Sequence, residues 1–262
     1  TDHGVMFGVI DFYRAAKAAG IKPILGCEVY VAPGSRFDKS SGASEDRYYH
    51  LVLLAENQKG YENLTKIVSR GFVEGYYYKP RVDMELLEEF HEGIIALSAC
   101  LAGEVQKNLH RGMYEEAKAA AFRYEKIFGK GNFVFGNFRI MVCRNRRMLI
   151  SSFCVCRRTQ ELNWLRQTTY IIPMRKMKSL TISCSVLQTG KKLADEDRMR
   201  YEGGQYYVKS EEQMKALFPY ALQAIENTQK IADRCHVEIE IWSDKASEIR
   251  CTGWIHVVGI FE

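Results

Sequence analysis

Four side chains able to ligate a metal stand beside apolar, strand-like runs: His3 in TDHG, Glu28 in GCE, His50 opening HLVLLA and Cys100 closing IIALSAC. Imidazole, carboxylate and thiolate together suit zinc, or manganese where oxygen donors prevail. These donors are far apart in the chain, so they can share an ion only in a fold that gathers strand ends, as the mouth of an α/β barrel does. Taken one at a time, each has a plainer explanation: a core thiol, a surface imidazole, a solvated carboxylate. Asp2, beside His3, is placed either to orient that imidazole or to close a turn or cap.

Regular elements must position such a set, and most of the chain supplies them. Val9, Ile10, Phe12, Tyr13, Ala16 and Ala19 recur at near-helical spacing, with Gly20 set to end the helix. PILGCEVYVAP, HLVLLAE and GIIALSA read as strands, and GYENLTKIVSRGF, MELLEEF and YEEAKAAAFRYEKIFG as helices. The last presents Ala117, Ala120, Ala121, Tyr124 and Phe128 on one face. Strands alternating with helices predict an α/β architecture with largely parallel strands, either an open doubly wound sheet or a closed barrel. Later, Ser210 with Gln213 predicts a capping box, YALQAIENTQKIADRC an amphipathic helix and HVEIE an alternating strand.

The charge is distributed unevenly. The net charge is +5, yet residues 134–187 carry ten basic residues and one acidic residue, as well as four of the eight cysteines. This segment shows no sustained period. Its Arg pairs with nearby Phe and Trp fit a nucleic-acid contact in principle. In that case, neutralising Arg146, Arg147, Arg157 and Arg158 abolishes salt-dependent DNA retention. Cys154 and Cys156 lack the C-x-x-C spacing of a zinc knuckle and have no neighbouring His. No apolar run is long enough to span a membrane, and the order of a signal peptide is absent, so a cytoplasmic location is expected, with the eight cysteines as thiols or metal ligands.

TDHGVMFGVIDFYRAAKAAGIKPILGCEVYVAPGSR, YYHLVLLAENQKGYENLTKIVS, EGYYYKPRVDMELLEE and GIIALSACLAGEV closely resemble the PHP domain of bacterial DNA polymerase III alpha subunits. The likeness resumes at QTGKKLADEDRMRYEGGQYYVKSEEQM and runs through IENTQKIADRCHVEIE. It implies a distorted (β/α) barrel with a metal cluster at one end, with His3, Glu28, His50 and Cys100 at matching ligand positions and Asp2 as a candidate supporting residue. It also implies an ancestral metal-dependent phosphoesterase or 3′ to 5′ exonuclease site. The parent would carry out template-directed DNA synthesis, with magnesium at a polymerase site outside this chain. Its partners would be DNA, a proofreading exonuclease and the sliding clamp, with no membrane.

The family pattern opens with a His-x-His strand ahead of TDHG, and it carries NDVHY where this chain has RQTTYIIPMRKMK. With suitable codons, family-like ATNDVHY read one base later yields RQTTYI, residues 166–171, and QNHGLPE yields RIMVCR, residues 139–144. GVTKLPKYDVP shifted by two bases yields SDKASEIRCT, residues 243–252. The expectation is therefore an incomplete PHP barrel over 1–241. Its first βαβ is missing, an out-of-frame segment occupies about 134–187 and disturbs the late strands, and an aberrant tail fills 242–262. Such a fragment is expected to be inactive. The alternatives are a stand-alone PHP phosphoesterase and a non-catalytic module that docks replicase subunits.

Overall fold

Aliphatic and β-branched side chains crowd GCEVYV and YHLVLLA, and these two runs pair at the centre of one sheet. In the computed structural model the described residues are 1–40, 47–138, 164–167, 190, 192–196, 209–220 and 222–240. The paired-Arg clusters, Cys154, Cys156 and the tail from 242 lie outside them, as does most of the segment 134–187. In chain order the elements are β1 (Asp2–His3), α1 (Val9–Ala18), β2 (Gly26–Val31), β3 (Tyr49–Ala55), α2 (Gln58–Val73), β4 (Tyr76–Tyr77), β5 (Lys79–Val82) and α3 (Met84–Glu89). There follow β6 (Ile94–Leu97), α4 (Glu104–His110), α5 (Tyr114–Phe128), β7 (Phe133–Phe138), β8 (Trp164–Gln167), α6 (Glu211–Leu217) and α7 (Leu222–Arg234).

The strand order is β4-β5-β2-β3-β6-β7-β8, with β1 on β2 beside β5. Strand β3 runs antiparallel to both β2 and β6, whereas β1, β2, β5, β6, β7 and β8 share one direction. The sheet is thus largely parallel with one reversed central strand. Its ends, β4 and β8, do not pair with each other, so the described sheet is open, as in an incomplete PHP-type barrel. Regular alternation was expected to stop at Phe133. Instead the apolar run FVF begins β7, which pairs with β6 and then with β8.

Because side chains alternate across a strand, the sheet has two different faces. Cys27, Val29, Val31, Leu51, Leu53, Ala55, Ile94, Ala96, Phe133 and Phe135 point into the main core, where Leu64 and Ile67 of α2 and Ala117, Ala121 and Tyr124 of α5 cover them. Val52, Leu54, Ile95, Leu97 and Val134 point the other way and meet Ile231 and Cys235 from the end of α7. The intervening residues Glu28, Tyr30 and His50 share this second face, beyond its apolar part.

Helix ends follow their sequence signals. Asn57 accepts Gly60 N–H at 2.9 Å to start α2, and Ser210 with Gln213 forms the predicted capping box of α6. The expected strand HVEIE is not a strand. Its alternation survives, with Cys235 and Val237 buried, but it joins the body through single bonds: His236 N–H to Glu56 O at 2.7 Å and Ile239 N–H to the Tyr13 hydroxyl at 3.2 Å. Period 2 reports burial on one side, and a ladder also needs a neighbouring strand in register.

Tyr124, fully buried on α5, donates its hydroxyl to Glu104 at 2.9 Å, and Glu104 also pairs with Arg123. Tyr124→Phe is expected to cost about 1–2 kcal/mol in urea unfolding, because a buried acceptor loses one donor and keeps the other.

Candidate metal centre

The predicted donors converge through the reversed strand. His3 on β1 lies opposite Glu28 on β2, and His50 on β3 lies opposite Tyr30, two residues from Glu28 on the same face. Cys100 follows the C-terminal end of β6, and antiparallel β3 brings its first residues to that end. A parallel β3 would have left His50 at the far edge of the sheet.

Contacts between the donors are direct. One Glu28 carboxylate oxygen, Oε1, lies 2.7 Å from His50 Nδ1 and 3.1 Å from His3 Nδ1. The same His50 Nδ1 is 3.4 Å from Cys100 Sγ, and Sγ also accepts the Ala102 N–H at 3.4 Å. The ligand atoms of Glu28, His50 and Cys100 all lie within 4.8 Å of one another. His3 sits at the rim with 66% of its side chain exposed, against 13% for Glu28. The Asp2 carboxylate accepts the Gly8 N–H at 2.8 Å, which fastens the start of α1.

This donor set fits an ion. Around a tetrahedral zinc with bonds of 2.0–2.3 Å, ligand atoms stand roughly 3.3–3.6 Å apart. The His50–Cys100 separation of 3.4 Å already has that value, and the Glu28–His50 contact of 2.7 Å needs to open by roughly 0.6 Å or more. Cys27, next to Glu28 in sequence, is no competitor. Its thiol faces the core, donates to Val5 O at 3.2 Å and is pushed up to about 12 by burial.

Electrostatics tie the cluster together. Burial works to lower His50, but its bonds to Cys100 and Glu28 and their charges outweigh that, raising it from 6.5 to about 9. Burial works to raise Glu28, yet His50 and His3 bring it below its ordinary range. A raised histidine contributes stability that is present below its unfolded value and lost as pH rises through its folded one. The metal-free chain should therefore lose stability between pH 6.5 and about 9. Zinc uptake should release protons in that window and tighten as pH rises, which calorimetry in buffers of different ionisation enthalpy can read.

Supporting groups were missed in the sequence. Tyr30 meets His50 edge-on at 5.2 Å between ring centroids, and Tyr48 stacks on it at 5.9 Å. Ala99 has φ +56, a left-handed conformation that is rare outside glycine, and it turns the chain so that Cys100 faces back towards His50. Buried Gln106 holds that turn by donating to Ser98 Oγ at 2.6 Å, and His50 N–H donates to Ala102 O at 3.1 Å. Strand alternation could have placed Tyr30 beside Glu28. No local signal marks Ala99 or Gln106.

A family model described as "PHP domain" matches residues 1–136. The DNA polymerase III subunit alpha of Treponema pallidum is 39% identical over 242 residues, covering 91% of this chain and 20% of the relative. The Campylobacter jejuni protein of the same name is 40% identical over 255 residues, again 20% of its length, and that of Thermus aquaticus is 35% identical over 246 residues. This chain thus spans about a fifth of the length of these relatives.

Proposed function

The chain belongs to the PHP domain family, and on that premise we propose that it is the PHP portion of a replicative DNA polymerase III alpha subunit whose Glu28, His50 and Cys100, with His3 at the rim, hold a zinc or manganese ion. The observation that carries this reading is the meeting of three donor atoms from β2, β3 and the end of β6 within 4.8 Å. When bound, such an ion supplies Lewis acidity towards a phosphodiester and a water acidic near neutral pH. The protein's part is positional. Pairing of β2 with β3 sets Glu28 beside His50, whose Nδ1 donates to the carboxylate until an ion takes both atoms, the Ala99 turn presents Cys100, and Tyr30 and Tyr48 wall the imidazole against solvent.

Among the described residues three donors meet, fewer than a two-metal clamp on attacking and leaving oxygens requires. The proposed state is therefore ion binding with little or no 3′ to 5′ exonuclease turnover, inside a parent that copies DNA with magnesium at its own site and works with the proofreading exonuclease and sliding clamp. No helix among the described residues is long and apolar enough to cross a membrane, and the proposed setting is the cytoplasm.

Chelator-stripped chain titrated with zinc or manganese should take up close to one ion, and His50→Ala and Cys100→Ala should each lose it. Wild-type chain that takes up neither metal would sink the reading. Metal-dependent hydrolysis of a phosphodiester by the loaded chain would instead favour the stand-alone phosphoesterase. We further propose that residues from about 134 to 187, and from about 242, are read out of frame. The support is the concentration of basic charge in 134–187 and the one- and two-base matches at RQTTYI, RIMVCR and SDKASEIRCT. Sequencing the coding DNA across these stretches decides it: if no other frame there encodes family-like sequence such as ATNDVHY, QNHGLPE and GVTKLPKYDVP, the shift is refuted.

A further inference from the structure

Three residues before His50, the Arg47 guanidinium lies over the Tyr78 ring, 4.1 Å from its centroid. Its Nε is buried and has no hydrogen-bond partner among the described residues. The buried arginines Arg36 and Arg81 differ: Arg36 is held by Asp83 and Glu74, and Arg81 by the carbonyls of Arg36, Asp38 and Gly75. A guanidinium set over an aromatic ring, with no carboxylate partner among the described residues, is a prepared site for an oxyanion, since its fork of donors matches phosphoryl oxygens.

The ring beneath it is held at a cost. Tyr78 forms the tip between β4 and β5 with φ +60, a conformation that bulky residues avoid, and it stays 61% exposed. Tyr76, on the same hairpin, is 51% exposed, and Lys79 stands 5.7 Å from the Tyr30 ring centroid. Contact is continuous to the metal centre, because Tyr48 follows Arg47 in the chain and stacks on His50, while Tyr30 meets both Tyr48 and His50 edge-on. Exposed tyrosines interleaved with cations that have no carboxylate partner among the described residues suit a phosphate whose ester carries a flat base.

We propose that Arg47, carried on Tyr78, is the phosphate-gripping residue beside the metal centre, and that the exposed tyrosines of the β4–β5 hairpin receive the base of the same ligand, a nucleotide phosphate ester. The ligand's place rests on the metal-site reading, but the grip itself needs no ion. The test measures binding of thymidine 5′-monophosphate and of a single-stranded thymidine pentanucleotide to the full chain, in chelator and again with zinc. Arg47→Ala should weaken binding about tenfold or more in both conditions while zinc uptake stays at wild type. Tyr78→Gly should leave the thermal midpoint unchanged or raise it, yet weaken binding at least about fivefold.

Loss for both probes assigns a small phosphate ester, and loss confined to the pentanucleotide assigns a strand end. Either outcome keeps Arg47 as the grip. Wild-type chain should bind the probes in chelator, where no ion is held, so the metal reading can fail while this one stands. Wild-type chain that binds neither probe, or Arg47→Ala that binds both as wild type does, overturns the proposal.

Discussion

Arg36→Met is expected to destabilise the chain by about 3–5 kcal/mol, because it strands a buried carboxylate without its cation. The Arg36 side chain is 2% exposed and that of Asp83 is 4%. Asp83 receives the Arg36 N–H at 2.8 Å, the guanidinium Nη1 at 2.8 Å and the Leu86 N–H at 3.1 Å, so it binds the loop after β2 to the N-terminus of α3. Arg36 also donates from Nε to Glu74 at 2.6 Å and lies over the Phe37 ring. Methionine fills most of the volume and satisfies none of these acceptors. Asp83→Asn keeps a side-chain oxygen for the cap and removes the charge. The double variant should therefore unfold at a higher urea concentration than Arg36→Met alone. If Arg36→Met costs under 1 kcal/mol, water reaches the site and Asp83 is not isolated.

Gly60→Ala should reverse the usual sign of a helical glycine replacement. In an exposed helix interior the change stabilises by about 1 kcal/mol. Here an added Cβ would stand 1.8 Å from Gly93 O, and Gly93 itself has φ +71 and accepts the Glu56 N–H through that carbonyl at 2.8 Å. Backbone faces backbone, so relief requires moving α2 off the turn before β6, at a cost of about 3 kcal/mol or more. Gly34→Ala, with nothing within 4 Å of the new methyl, is the matched control and should be near neutral. A thermal midpoint for Gly60→Ala equal to that of the control would show that α2 can shift freely. Because α2 packs on β3, the larger variant should also weaken zinc uptake at His50, which Gly34→Ala should not.

Much of this was legible without coordinates. The five residues assigned to one face of α5 are the five found buried there, together with Ile127. The capping box at Ser210 forms, and Gly20 ends α1 with φ +67. These features depend on neighbours within one or two turns, where spacing and residue type carry the information. HVEIE misled for the opposite reason, since its alternation was real but its partner strand was not local. The two-residue strand β1 and helix α4 were also missed, because Asp2–His3 is too short for any period and EVQKNLH offers no capping side chain at Gly103.

The candidate site divides along the same line. Residue chemistry offered His3, Glu28, His50 and Cys100 as donors beside strands but left each with a plainer reading, and it was the resemblance to PHP domains that singled them out. Whether they could meet depended on strand direction. A largely parallel sheet puts the start of β3 and the end of β6 at opposite edges, and reversing β3 puts them side by side, with Glu28 on the face between them. Direction is set by long-range pairing and by the connections either side of β3, neither of which a local window of sequence contains. Arg47 belongs to that same level, since it is set over Tyr78, a residue far along the chain, with no partner for its Nε among the described residues.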